Sequence, residues 1–120
     1  MQMIIDEVGN VRMTRGDSAE FSVELKDDEG NPVTVEPGAV AIATVRIQKT
    51  DAIVFAVDGT VDGSTIYFSV APEATQTAKA GKHRYDVELT EVDGTRSTVV
   101  GGEKTGPLVW ELMEDETRHG

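Results

Sequence analysis

The sequence predicts an all-β fold, and three observations support that prediction. Valine and isoleucine dominate the apolar residues, with 16 Val and 6 Ile against 4 Leu, and β-branched side chains pack well on a pleated sheet. Apolar and polar residues alternate along several segments, which is typical of strands with one buried face. Clusters of Gly, Asp, Asn and Pro separate these segments at short intervals, as in sandwiches and barrels.

Length and charge limit the classes of function. A chain of 120 residues matches one domain of roughly 100–150 residues, so we predict a single domain over 1–120 with its core at about 11–113. Residues 1–10 are expected to form an N-terminal arm, and residues 114–120 a flexible acidic tail. The net charge of −11 argues against nucleic-acid binding, and the absence of cysteine excludes disulfides and thiol chemistry. We expect neither a membrane span nor an export signal.

The first half of the chain contains four strand-like segments. Residues 11–14 form a short run, and residues 19–26 alternate cleanly between apolar and polar side chains. An acidic turn with Gly30 follows and leads to a short edge piece at residues 33–35. Residues 40–49 are again strand-like and carry small alanines on one face, which indicates close approach to another element.

The middle of the chain predicts a hairpin and a helix. Residues 53–58 and 64–70 flank a loop of about five residues, 59–63, that contains two glycines. Residues 72–79 form the only predicted helix, because proline suits the first helical turn and Gly81 follows as the stop.

The last third predicts three more strands, at residues 82–90, 96–100 and 108–113, with an interruption of pairing at 101–107. Together the elements predict an antiparallel immunoglobulin-like β-sandwich of seven to eight strands with one short connector helix. Tyr85 supports this prediction, because its place four residues after Gly81 resembles the tyrosine-corner position of immunoglobulin-like sandwiches, where its hydroxyl would tie the connector to the strand.

The string Arg15-Gly16-Asp17-Ser18 resembles the integrin-binding loops of adhesive proteins, although a tripeptide match has low specificity. We interpret it as a structural turn, in which Gly16 relaxes the backbone between two strands and Asp17 caps the turn. The predicted turn and corner residues are therefore Gly16, Asp17, Gly81 and Tyr85.

No cofactor or metal site is predicted. The acidic strings Asp27-Asp28-Glu29, Asp58-Gly59 and Asp62-Gly63 lack the twelve-residue spacing of a calcium loop with its terminal glutamate. Gly102-Glu103-Lys104-Thr105 lacks the Gly-Lys-Ser/Thr triplet of a phosphate loop.

No catalytic site is predicted either. A serine nucleophile needs a base oriented by an acid, and the chain has two histidines. His83 lies on the apolar side of a predicted strand, which favours a structural role, and His119 lies in the tail. Paired carboxylates for glycoside chemistry are available among 22 acidic residues, but an aromatic content of 5% offers little to line a sugar cleft.

The last predicted strand supplies the candidate partner contact. Leu108, Trp110 and Leu112 share one face by two-residue alternation. Trp110 has two interpretations, as a core anchor or as the anchor of a partner contact, because aromatic residues are enriched in both places. The three residues are the candidate contact set if this face is not wholly core.

Several short sequence motifs follow one another in a distinctive order over about residues 11–113. They are Arg15-Gly16-Asp17-Ser18, Asp28-Glu29-Gly30-Asn31-Pro32, Val45-Arg46-Ile47-Gln48-Lys49, Pro72-Glu73-Ala74-Thr75, Gly81-Lys82-His83-Arg84-Tyr85-Asp86 and Asp93-Gly94-Thr95-Arg96. This order resembles the amino-terminal domain of phage baseplate upper proteins and related tail or virion modules.

The resemblance implies an assembly module that is not an enzyme. The expected function is a structural component of a bacteriophage particle, tail or baseplate, that binds other virion proteins through edge strands and sheet faces. Expected partners are other phage virion proteins and further copies of the chain, with no nucleic acid and no membrane, and the expected location is a virion assembled in the host bacterial cytoplasm. The alternative is a ligand- or receptor-binding immunoglobulin-like module of a secreted bacterial protein, which would recognise a glycan or a host receptor through loops such as residues 15–18.

Overall fold

The computed structural model describes residues 4–5, 10–27, 29–50, 52–100 and 108–114, with Ile4 and Ile5 described by their backbone alone. These ranges contain nine strands and one helix. They are β1 (Ile4–Ile5), β2 (Val11–Thr14), β3 (Ala19–Glu24), β4 (Val40–Ile47), β5 (Ile53–Asp62), β6 (Thr65–Val70), α1 (Pro72–Gln76), β7 (Gly81–Thr90), β8 (Arg96–Val100) and β9 (Leu108–Met113). The prediction of a mostly β chain with one short helix is confirmed.

The strands form one continuous hydrogen-bonded sheet that nearly closes into a barrel. Its order is β1-β2-β9-β7-β4-β5-β6-β3, and β8 pairs with the second half of β7. β2 and β9 pair in parallel, whereas the other pairs of strands are antiparallel. The strict antiparallel arrangement predicted from the sequence is therefore wrong at this one pair.

β5 explains why the sheet is continuous. The sequence predicted a five-residue loop at 59–63, but β5 runs on to Asp62, and Asp62 pairs with Thr65 across a two-residue turn. Gly59 pairs with Ala41 of β4 and with Phe68 of β6, so β5 changes partner at this glycine. The prediction of a loop is therefore wrong: residues 59–62 belong to β5, which joins the two halves of the sheet. The structure has one continuous sheet, whereas the sequence predicted two separately paired sheets.

The connector also differs from its prediction. α1 ends at Gln76, with Thr77 as its C-cap, and is shorter than the predicted 72–79. Gly81 does not stop the helix, because it is the first residue of β7 and pairs with Leu112. Its φ of 129° nevertheless suits a glycine at the bend into β7.

Two peripheral predictions are corrected as well. Residues 33–35 form no strand: an isolated bridge joins Lys26 to Pro32, and the Val33 N–H donates to the Leu25 carbonyl. Val35 is instead 5% exposed, and its N–H donates to the carbonyl of Gly63. The predicted arm at 1–10 contains β1, which pairs with β2. Predictions for the 101–107 interruption, for the phosphate-loop comparison within it and for residues 115–120, including His119, lie outside the described residues.

Aromatic rings organise the core. Trp110 is fully buried, and its ring meets Phe21, Phe55 and Tyr85 edge-on at centroid distances of 5.3, 5.5 and 5.2 Å. Edge-to-face contacts of this kind add to the burial of apolar area. Phe21 also stacks on Phe68 at 4.8 Å. β3 and β9 are distant in the strand order, so the Phe21–Trp110 contact shows that opposite sides of the barrel pack against each other.

Within the described ranges no helix is long and apolar enough to cross a membrane. The same ranges contain no group of three His, Asp or Glu side chains arranged to hold a metal ion.

Candidate functional site

The predicted partner contact at β9 lies in the core. Leu108, Trp110 and Leu112 are 4%, 0% and 1% exposed. Strands β2 and β7 flank β9 on its two edges, and the inner face of β9 is covered by the aromatic cluster. This face is wholly core, so these three residues are not available to a partner.

The Arg15-Gly16-Asp17-Ser18 turn packs against α1. The N–H of Gly16, at φ 86°, donates to the buried hydroxyl of Thr75 at 2.8 Å. The Arg15 guanidinium donates to the carbonyl of Ala78 at 3.1 Å and pairs with Glu114 at 3.2 Å. The contacts of Arg15 and Gly16 support the interpretation of this string as a structural turn. The backbone N–H of Asp17 donates to the Thr14 carbonyl at 3.2 Å and closes the turn, and a cap by the Asp17 side chain stays a prediction.

We expect Thr75→Val to destabilise the protein by about 1–3 kcal/mol, because it leaves the partly buried Gly16 N–H without its acceptor. Urea denaturation followed by tryptophan fluorescence measures the change. Thr77→Val, the same substitution at an exposed position in the same connector, is the control and should change stability by less than about 0.5 kcal/mol. Equal effects of the two variants would contradict the role of this hydrogen bond.

Tyr85 and His83 connect β7 to its surroundings. Tyr85 is 5% exposed and its ring contacts Trp110, so its place on a buried strand face agrees with the predicted corner. The tie from the connector to β7 is made by His83, whose Nε2–H donates to the carbonyl of Lys79 at 2.8 Å. His83 is 6% exposed, which agrees with a structural role. A tie through the Tyr85 hydroxyl stays a prediction.

The described surface contains a groove on the outer side of β3, β6 and β5, with a volume of about 390 Å³. Tyr67 lies at its centre and is 50% exposed. The strand register places Ser22 of β3 on one side of Tyr67 and Thr60 of β5 on the other. The groove therefore presents one aromatic ring between two hydroxyl-bearing side chains.

Carboxylates give this groove its charge. Glu20 and Asp58 both line it, Ser69 adds a third hydroxyl, and its lining contains no Lys or Arg. Two carboxylates that line the same groove as an aromatic ring attract a cation, and a Lys or Arg side chain over the Tyr67 ring would gain a cation–π contact. The same lining repels phosphate and carboxylate ligands. We refer to Glu20, Ser22, Asp58, Thr60, Tyr67 and Ser69 as the Tyr67 groove.

A strand edge that no other described strand pairs with adjoins the Tyr67 groove. Val23 pairs with Ile66, and the N–H of Leu25 donates to Ser64 at 2.8 Å, so the odd-numbered residues of β3 direct their backbone groups at β6. The backbone groups of Glu20, Ser22 and Glu24 point the other way. No described strand pairs with that edge of β3.

Tyr67 was not among the residues predicted from the sequence. The signal was present, because Ile66, Phe68 and Val70 alternate with Tyr67 and Ser69. If the three apolar residues face the core, Tyr67 must face outward. The groove itself also depends on the path of β5, which the sequence patterns did not predict.

The comparisons with known proteins add no relative. No protein-family model matches the chain, and a search of curated proteins finds no significant match.

Proposed function

We propose that the chain is a non-enzymatic structural component of a bacteriophage particle, in the tail or baseplate, that binds another virion protein at the Tyr67 groove. One observation carries the proposal: a half-exposed tyrosine lies in an acidic groove beside an edge of β3 that no described strand pairs with. Exposed tyrosines in depressions are typical anchors of protein contacts. The assignment to a phage rests on the resemblance in the order of the sequence motifs.

The contact follows from the chemistry of the groove. A Lys or Arg side chain of the partner enters above Tyr67, and its charge lies near Glu20 and Asp58. An extended segment of the partner then pairs with the outward backbone groups of β3. Because the whole chain carries a charge of −11, a basic partner surface is also attracted over a longer range.

We further infer that the barrel is an immunoglobulin-like sandwich whose two layers are joined along β5. Strands β2, β9, β7 and β4 form one layer, β6 and β3 form the other, and β5 belongs to both by its change of partner at Gly59. The contact of Phe21 with Trp110 supports face-to-face packing of these layers.

We expect Tyr67→Ala to reduce incorporation of the chain into purified particles by about tenfold, because loss of an interface aromatic commonly costs more than 1.4 kcal/mol of binding free energy. Quantitative mass spectrometry of particles made with each variant measures its copy number. Tyr67→Phe keeps the ring and should be incorporated nearly as well as the unmodified chain, as should Thr98→Ala on the exposed part of β8. Particles that lack the unmodified chain would contradict the proposed function.

The same groove favours a second candidate, a saccharide-binding module. Sugar rings stack on tyrosine, and the hydroxyls and carboxylates of the groove suit the hydroxyl groups of a neutral glycan. The site would be the Tyr67 groove and not residues 15–18, since that turn packs on α1. Glycan-array binding that Tyr67→Ala abolishes, together with absence from particles, would favour this candidate over the first.

A further inference from the structure

The two ends of β4 carry exposed apolar residues. Val40 begins the strand and is 52% exposed, whereas Ile47 ends it and is 43% exposed. The two residues are about 23 Å apart at the roughly 3.3 Å rise per residue of a strand. Each has an exposed apolar neighbour: Val92 at 62% on the side of Val40, and Ile53 at 61% on the side of Ile47.

Acidic side chains surround the pair at the start of β4. Val40 pairs with Thr90, and a Cβ at Gly38 would lie 3.3 Å from a methyl of Val92, so the turns at 36–39 and 91–95 lie together. These turns carry Glu36, Glu91 and Asp93, all exposed, and the one cation beside them among the described residues is Arg96, which pairs with Thr90 and lies 3.9 Å from the Glu88 carboxylate. The N–H of Thr95 donates to the Asp93 carboxylate and lowers the pKa of that carboxyl group below its ordinary value. Val40, Val92, Glu36, Glu91 and Asp93 are called the acidic end.

Basic side chains surround the pair at the other end of β4. Arg46 pairs with Ile53, and the Arg84 guanidinium donates to the carbonyl of Thr50 in the turn between Ile47 and Ile53. Lys49 is exposed in the same turn, and Lys82 is exposed beside the partner of Ile47 on β7. Three cations, Lys49, Lys82 and Arg84, stand against two acids: Asp51 in the sequence of the turn and Glu111 of β9, which pairs with Lys82. Arg46 is ion-paired with Asp86. Ile47, Ile53, Lys49, Lys82 and Arg84 are called the basic end.

We propose that copies of this chain associate head to tail, with the acidic end of one copy against the basic end of the next. Charge complementarity selects a second copy as the partner. Each end presents two exposed aliphatic side chains, which lie among acidic residues at one end and among basic residues at the other. Like ends repel, so a symmetric contact between two acidic ends is disfavoured. A contact between different surfaces can repeat from copy to copy, which gives a ring or a filament.

This inference deepens the proposed assembly function, on which it rests, by naming a second copy as one partner of the chain. It uses residues separate from the Tyr67 groove, which the structure places on the outer side of β3, β6 and β5. The groove would bind a different virion protein, while the two ends of the barrel would join copies.

Two complementary variants test the inference. Val92→Arg places a cation in the acidic end, and Ile53→Glu places an anion in the basic end, both at exposed positions. Sedimentation velocity over a concentration series should show association of the unmodified chain at low ionic strength, weakened in high salt. Each variant alone should associate at least about tenfold more weakly. An equimolar mixture should form a one-to-one dimer, since each variant retains the end that the other lacks.

Control variants distinguish the head-to-tail contact from other contacts between copies of the chain. Thr98→Arg, exposed on β8 outside both ends, should associate like the unmodified chain, and Glu91→Lys is a second variant of the acidic end. A monomeric unmodified chain, a single variant that associates normally, or a mixture that stays monomeric would each overturn the inference. A chain that is monomeric but still enters particles would overturn head-to-tail association alone and leave the proposed function standing.

Discussion

Trp110→Ala should lower the free energy of unfolding by about 3–5 kcal/mol, the range for removal of a large buried aromatic side chain. Trp110 is fully buried, and its ring touches Phe21, Phe55 and Tyr85. These rings come from β3, β5 and β7, so the cavity would lie between elements that cannot all collapse into it. Because domains of this size are stable by only about 5–15 kcal/mol, we expect the variant to be largely unfolded at 37 °C.

Trp110→Phe is the matched control for this prediction. It keeps an aromatic ring and removes the indole N–H, which has no hydrogen-bond partner in the described part of the chain. Since a buried donor without an acceptor is costly, its removal offsets part of the lost packing, and the expected cost is about 1–2 kcal/mol. Urea denaturation followed by far-ultraviolet circular dichroism measures both variants. A loss below about 1 kcal/mol for Trp110→Ala would contradict its place in the core.

Gly59→Ala should have the second largest effect, a loss of about 2–3 kcal/mol. A Cβ at this position would lie 2.6 Å from Cγ2 of Ile66 and 2.7 Å from Cε1 of Phe68. Both side chains are buried, at 0% and 2% exposure, so neither moves aside without disturbing the core. The added methyl would push β6 away from the point where β5 changes partner.

A substitution at a second glycine, Gly30→Ala, distinguishes the cost of steric overlap from the cost of backbone strain. Gly30 has a φ of +87°, and a Cβ there would meet nothing within 4 Å. Gly30→Ala therefore introduces only the strain of a left-handed conformation, about 1 kcal/mol. Gly59 has no positive φ, so its expected cost is steric. Thermal unfolding of both variants should rank Gly59→Ala as the less stable, and the reverse order would contradict the close approach at β5.

The period-two patterns predicted the strands that have one buried face. The alternation in 82–90 corresponds to β7, where His83, Tyr85, Val87 and Leu89 are buried. Val and Ile supplied the β propensity, and glycines at the turns supplied the boundaries. Local sequence is sufficient for this part of the fold because one residue and its near neighbours set the direction of each side chain.

Partner choice between strands could not be predicted in the same way. Asp58-Gly59 has the composition of a hairpin turn, yet Gly59 lies inside β5. A glycine is needed there because Ile66 and Phe68 leave no room for a side chain. The parallel pairing of β2 with β9 joins residues 99 positions apart, such as Val11 and Trp110. Such pairings depend on tertiary packing, which overrides local turn preference.

The candidate site, too, has one part that the sequence predicted and one part that it did not. The alternation around Trp110 predicted correctly that Leu108 and Leu112 share its face, but it could not tell an inner face from an outer one. The Phe21, Phe55 and Tyr85 rings decide that question, because they cover this face. The Tyr67 groove is formed by three strands that are not all consecutive, so no single segment of sequence contains it.

Electron cryomicroscopy of the purified phage particle at side-chain resolution tests the central claim most directly. We expect density for the nearly closed β-sheet of the described residues in the tail or baseplate, with a Lys or Arg of a different virion protein above the Tyr67 ring and beside Glu20 and Asp58. A particle without this sheet, or a sheet whose Tyr67 groove faces solvent in every copy, would contradict the claim.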